Sequence, residues 1–75
     1  MPKLPVLSGP EAVRALLRAG LVFERQHGSH VYLRVSATGG HVAVPCHGGR
    51  DLRPGTLRGI LHDAGLNVEE FRELL

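Results

Sequence analysis

The sequence predicts an α+β domain, a three-stranded antiparallel sheet with its helices packed on one face. Three observations predict it. A capped run of helical periodicity at residues 8–19 gives way to period-two alternation at Leu21. That alternation recurs in three short stretches divided by glycine-containing turns. Helical periodicity then returns after Pro54. Seventy-five residues, 43% of them apolar, supply one hydrophobic core, so residues 1–75 are expected to form a single domain whose sites are shallow.

Each element has a local cause. Ser8-Gly9-Pro10-Glu11 has the form of a capping box, and proline in a first turn costs no hydrogen bond. Val13, Leu16 and Leu17 follow at helical spacing, with Arg14 and Arg18 on another face, until Gly20 supplies a stop. Leu21, Phe23 and Arg25 then alternate with Val22, Glu24 and Gln26. After His27-Gly28-Ser29, the residues Val31, Leu33 and Val35 alternate with His30, Tyr32 and Arg34. After Ala37-Thr38-Gly39-Gly40, Val42 and Val44 alternate with His41 and Ala43, and Pro45 ends this third strand because it cannot donate to a ladder. Cys46 to Arg53 reads as a loop. Pro54-Gly55 opens a helix with Leu57, Ile60, Leu61 and Ala64 on one stripe, closed by Gly65. Asn67-Val68-Glu69-Glu70 caps a last short helix with Val68, Phe71 and Leu74 on one side. The order is αβββαα.

Packing both main helices on one face of the sheet buries every apolar stripe. Val31, Leu33, Val35, Val42 and Val44 are then expected in the core, and His30, Tyr32, Arg34 and His41 on the open face. Antiparallel order places His30 at the end of the sheet where the third strand finishes, near Cys46 and His47, and puts His41 at the far end.

The charge is uneven. Residues 1–62 carry eight Lys/Arg against Glu11, Glu24 and Asp51, a balance of +5, while the last thirteen carry Arg72 against Asp63, Glu69, Glu70 and Glu73, a balance of −3. A basic body with five histidines nominates a phosphate-rich partner such as nucleic acid, though solvated surface arginine gives the same composition. A single cysteine, Cys46, permits no internal disulfide and fits a reducing compartment. Met1–Leu7 is too short and proline-broken for a signal segment, and no run of about 18 apolar residues offers a membrane span, so a cytoplasmic address is expected. Neither a P-loop nor a dinucleotide fingerprint occurs, and no carboxylate pair flanks a cleft, which argues against P-loop nucleotide hydrolysis and glycoside hydrolysis.

Gln26-His27-Gly28-Ser29-His30 is the most informative segment. Its turn offers backbone amides and a hydroxyl to an anion and presents an imidazole at the first position of an outward-facing strand. Imidazole changes charge near neutral pH, so it can take a proton from a ribose 2′-hydroxyl or give one to a leaving 5′-oxygen. The turn alone fits an inert surface histidine as well as a catalytic one. Arg50-Asp51-Leu52-Arg53-Pro54-Gly55-Thr56-Leu57-Arg58 combines guanidinium charge with a helix N-terminus, a phosphate seat or simply a capped helix with solvated arginines. Zinc-capable residues are present, but adjacent Cys46 and His47 tend to point apart and paired ligand spacing is missing, so no metal and no cofactor is expected. Cys46 lacks a marked low-pKa niche and reads as a partly buried thiol, not a nucleophile.

Taken together, these residues resemble the HicA toxin family, small messenger-RNA interferases of bacterial and archaeal toxin–antitoxin systems. The resemblance runs through the leading helix, Phe23-Glu24-Arg25-Gln26-His27-Gly28-Ser29-His30, Val42 to His47, Leu52 to Leu61 and Ala64-Gly65-Leu66. It implies a double-stranded-RNA-binding-domain-like fold and a catalytic histidine after a Gly-Ser pair, here His30. Many members carry a second histidine directly afterwards, where this chain has Val31. The expected activity is a metal-independent endoribonuclease that cleaves mRNA and blocks translation, with His30 as base and Ser29, Tyr32 or Arg34 orienting or neutralising the phosphate. Arg50, Arg53, Thr56 and Arg58 are the remaining expected RNA contacts, and His47 is the nearest candidate for a second proton transfer. The implied protein partner is a HicB-type antitoxin, with no membrane role. A non-catalytic RNA-binding module of the same fold, or a protein-interaction domain, stays open at this point.

Overall fold

The computed structural model describes residues 3–75; Met1 and Pro2, which head the Met1–Leu7 segment read above, lie outside the described residues. Helix α1 runs Gly9–Arg18, strands β1, β2 and β3 run Val22–His27, His30–Arg34 and His41–Pro45, and helices α2 and α3 run Pro54–Ala64 and Val68–Glu73. This is the α+β order predicted, with a three-stranded sheet in the order β1-β2-β3 and both pairings antiparallel.

The helix ends follow the capping chemistry. Ser8 caps α1: its hydroxyl accepts from the Glu11 amide at 3.4 Å, and the Glu11 carboxylate accepts from the Ser8 amide at 2.9 Å. Asn67 and Glu70 repeat the exchange at α3, at 2.7 and 2.9 Å. Helix α2 differs, because its N-cap Arg53 makes no side-chain capping bond. Gly65, at φ +73°, closes α2 in the left-handed region that glycine enters without steric cost.

The core lies between the helices and one face of the sheet. Phe71, Leu16, Leu33, Leu57, Val42 and Val44 are its largest fully buried side chains, and the expected Val31 and Val35 are buried with them. Phe71 brings α3 into this core, and the Arg18 side chain ties the two helices by donating to the Leu74 carbonyl at 2.6 Å. Among the described residues, no helix is long and apolar enough to cross a membrane.

Strand β1 departs from simple alternation. Phe23 pairs with Leu33 and Arg25 pairs with Tyr32, so Glu24 is an extra residue in the ladder. One inserted residue reverses the parity of everything beyond it. Phe23 therefore shares the helix-side face with Leu33, whereas Arg25 moves to the open face with Tyr32 instead of following Leu21 and Phe23. Leu21 is buried, but all six residues of this edge strand are exposed.

Candidate active site and nucleic-acid interface

His30 begins β2 directly after a two-residue hairpin loop, Gly28-Ser29, with His27 as its partner across the ladder. Gly28 has φ +60° and Ser29 does not have positive φ, the pattern of a type II′ turn with glycine at its first central position. The tight loop fixes where His30 emerges, and the residue is exposed. On the other side of β2, His30 pairs with Pro45, the last residue of β3.

The chain leaving β3 is fastened to this turn. The Cys46 amide donates to the Ser29 carbonyl at 2.6 Å, one step past the regular ladder. Gly48, at φ +60°, then reverses the chain, and the Arg50 amide donates to the His47 carbonyl at 3.1 Å. His47 consequently stands beside His30, with ring centroids 5.9 Å apart and ring planes at 89°. The loop is held from behind as well, by a Ser8–Asp51 bridge and by the Leu52 amide donating to the Leu7 carbonyl at 2.8 Å.

His47 also lines a cleft of about 320 Å³ whose wall includes Arg50, Asp51, Arg53 and Thr56. Three of the four expected contacts in this region, Arg50, Arg53 and Thr56, thus converge on one cleft at the first turn of α2. Exposed Arg58 does not line it. With no side-chain cap at Arg53, the amides of that first turn stay available to an anion, and the guanidinium groups supply the opposite charge.

The open face divides into two ends. At the His30 end, the Arg25 guanidinium lies 4.6 Å from the centroid of the half-buried Tyr32 ring. Ser29 is half-buried, with its carbonyl already engaged by Cys46. At the other end, Arg34 pairs with His41 across the ladder, four residues and roughly 13 Å along β2 from His30. Arg34 Nε lies 3.7 Å from the Glu24 carboxylate, which also meets His41 Nε2 at 3.1 and 3.2 Å. Arg34 is therefore set apart from any phosphate that reaches His30. Arg25 and Glu24 are site residues that sequence reasoning missed: regular alternation already leaves Glu24 on the open face, where its pairing with Arg34 and His41 went unread, whereas the bulge that turns Arg25 to that face leaves no mark in the alternation.

Cys46 is half-buried, and burial pushes its thiol pKa up, away from thiolate chemistry. Among the described residues, no three His, Cys, Asp or Glu side chains stand close enough to hold a metal ion together.

The family model described as the HicA toxin of bacterial toxin-antitoxin systems matches residues 9–66, from the first residue of α1 to just past α2. The chain belongs to the HicA toxin family. That family is known for mRNA interferases, and membership implies a cognate antitoxin. Among curated proteins, no significant match to the chain is found. In this HicA chain the Gly28-Ser29-His30 turn, the His47 loop and the basic cleft all fall inside the matched residues.

Proposed function

We propose that this HicA chain is the toxin of a type II toxin–antitoxin system and a metal-independent endoribonuclease that cleaves mRNA in the cytoplasm and so blocks translation. The single observation that carries this reading is an exposed imidazole, His30, on a tight turn immediately beside a cleft walled by Arg50 and Arg53. His30 acts as general base. It takes the proton of a ribose 2′-hydroxyl, the 2′-oxygen attacks the adjacent phosphorus, and the bond from phosphorus to the 5′-oxygen breaks. The products are a 2′,3′-cyclic phosphate and a 5′-hydroxyl, and neither requires water or a cofactor.

The other contacts divide the work by position. Ser29 and Tyr32 flank His30 and orient the nucleotide, with Arg25 stacked on Tyr32 adding charge to that platform. Arg50, Arg53 and Thr56 hold a backbone phosphate in the cleft, while Arg58 and Arg34 contact the chain further out. A HicB-type antitoxin binds the toxin and blocks the activity.

The test is expression of wild type and His30→Ala without antitoxin, reading growth and transcript decay. Growth arrest and RNA decay are expected from wild type alone; equal effects from both remove His30 from the mechanism. Cleavage by the purified chain is expected to survive chelator, and abolition by EDTA would point to a metal. RNA bound in a salt-dependent manner but left intact through long incubation would identify a non-catalytic binding module instead.

A further inference from the structure

Breaking the bond to the 5′-oxygen needs a second proton transfer, because an alkoxide leaving unprotonated is a poor leaving group at neutral pH. Five histidines are available, and position separates them. His41 sits at the far end of the sheet with its Nε2 on the Glu24 carboxylate. His62 lies in the last turn of α2, whereas the basic cleft opens at the first. His27 faces His30 across the ladder but does not line the basic cleft. His47 alone both approaches the His30 ring and lines the cleft that holds Arg50 and Arg53.

We propose that His47 is the general acid of the cleavage step, delivering a proton to the leaving 5′-oxygen while His30 receives the proton of the 2′-hydroxyl. This rests on the reading of the chain as a ribonuclease with His30 as its base. The balance is complete: the bond from the 2′-oxygen to phosphorus forms, the bond from phosphorus to the 5′-oxygen breaks, one proton enters His30 and one leaves His47. Each ring must come within about 2.6–3.2 Å of its oxygen, and the two oxygens stand on opposite sides of one phosphorus. Rings with centroids 5.9 Å apart can flank such a group. At 89° neither ring stacks on the other, and among the described residues neither is occupied by a protein hydrogen bond, so a nitrogen on each is free for substrate. The Ser29–Cys46 hydrogen bond holds the two loops at this separation. The roles also give the RNA a direction, with the nucleotide downstream of the break on the His47 side and its own phosphate toward Arg50 and Arg53.

The experiment separates this inference from the reading beneath it. A cleavage site is mapped on a transcript with wild type, and a short oligoribonucleotide spanning it is made in two forms, one natural and one with sulfur replacing the scissile 5′-oxygen. Sulfur departs without protonation, so loss of a general acid matters only for oxygen. His47→Ala is expected to slow the oxygen substrate by about 10²–10⁴-fold and the sulfur substrate by less than about tenfold, whereas His30→Ala slows both alike. His47→Ala melting at the wild-type temperature separates this from misfolding. Equal slowing of both substrates by His47→Ala, or no slowing of either, overturns the assignment while leaving His30 in place. The same holds if His27→Ala, expected to behave as wild type, shows the sulfur-selective rescue. A wild type that cleaves no RNA, or a fully active His30→Ala, overturns both.

Discussion

The Ser29 carbonyl accepts a hydrogen bond from the Cys46 amide at 2.6 Å, and this single backbone contact joins the turn that presents His30 to the loop that presents His47. Cys46 serves through its amide, while its half-buried thiol donates only a long contact to the Val44 carbonyl at 3.6 Å. Cys46→Ala is therefore expected to keep cleavage within about twofold of wild type and to lower stability by no more than about 1 kcal/mol. The Cys46 amide, although it lies beyond the end of β3, should exchange with solvent as slowly as amides within the strand. Fast exchange there would show that the two loops are not held together.

Gly9, the first residue of α1, lies close against the end of β3. A Cβ added there would overlap the Pro45 carbonyl oxygen and lie 3.0 Å from Cys46 Sγ, so even alanine must push the end of β3 away from α1. Gly9→Ala is expected to cost about 1–3 kcal/mol, readable in thermal unfolding, although alanine ordinarily favours a helix over glycine. Because Pro45 and Cys46 lead directly into the His47 loop, cleavage should fall further than stability alone explains. A variant as stable and active as wild type would contradict the close approach.

These contacts show which parts of the molecule were legible in the chain. Local chemistry wrote the helix ends: Ser8 with Glu11 and Asn67 with Glu70 make the reciprocal bonds their spacing implies. Period two placed Leu33, Val42 and Val44 in the core, because sheet faces alternate wherever the ladder is regular. Antiparallel order brought His30 and His47 to one end and left His41 at the other. The bulge at Glu24 was not legible, since an extra polar residue on an exposed edge strand changes no apolar pattern. Its consequence, Arg25 over Tyr32, was hidden with it. The packing of Gly9 on Pro45 joins residues far apart in sequence, and a glycine after an N-cap serine is equally at home without such contact.

Glu24 is the only acid on the open face in contact with Arg34 and His41 among the described residues. Exposed pairs of this kind add little to stability, so the carboxylate matters mainly by opposing phosphate and occupying the Arg34 guanidinium. Glu24→Gln is expected to leave the melting temperature nearly unchanged and to tighten RNA binding at low salt, measured in a His30→Ala background to prevent cleavage. Weaker binding would mean that the Glu24 contacts organise the RNA surface.

The α1 capping box gives stability an acid limit. The Ser8 amide, then the Ser8 hydroxyl, hold the Glu11 carboxyl below its usual pKa. A group whose pKa falls on folding contributes above its unfolded value and loses that contribution as pH drops through the folded one. Wild type should therefore lose melting temperature more steeply below about pH 4 than Glu11→Gln does, with the two curves nearly parallel near neutrality. Ser8→Ala should cost about 1 kcal/mol at neutral pH. Identical acid limbs for wild type and Glu11→Gln would remove the capping carboxylate from the pH response.

Salt dependence can distinguish the arginines by position. Each phosphate neutralised on single-stranded RNA contributes about 0.7 to the slope of log affinity against log salt. Arg50 and Arg53 line the cleft beside His47, so Arg50→Gln and Arg53→Gln, each in the His30→Ala background, should lower that slope by about 0.7. Arg34 already faces a carboxylate, so Arg34→Gln should change the slope less. Once Glu24→Gln has released its guanidinium, the same Arg34 substitution should approach the effect seen in the cleft. Fluorescence anisotropy titrations from low to physiological salt would measure all five variants on one labelled RNA. Equal slopes for Arg34→Gln with and without Glu24→Gln would show that the carboxylate does not hold this arginine away from phosphate, and unchanged slopes for Arg50→Gln and Arg53→Gln would remove the backbone from the cleft.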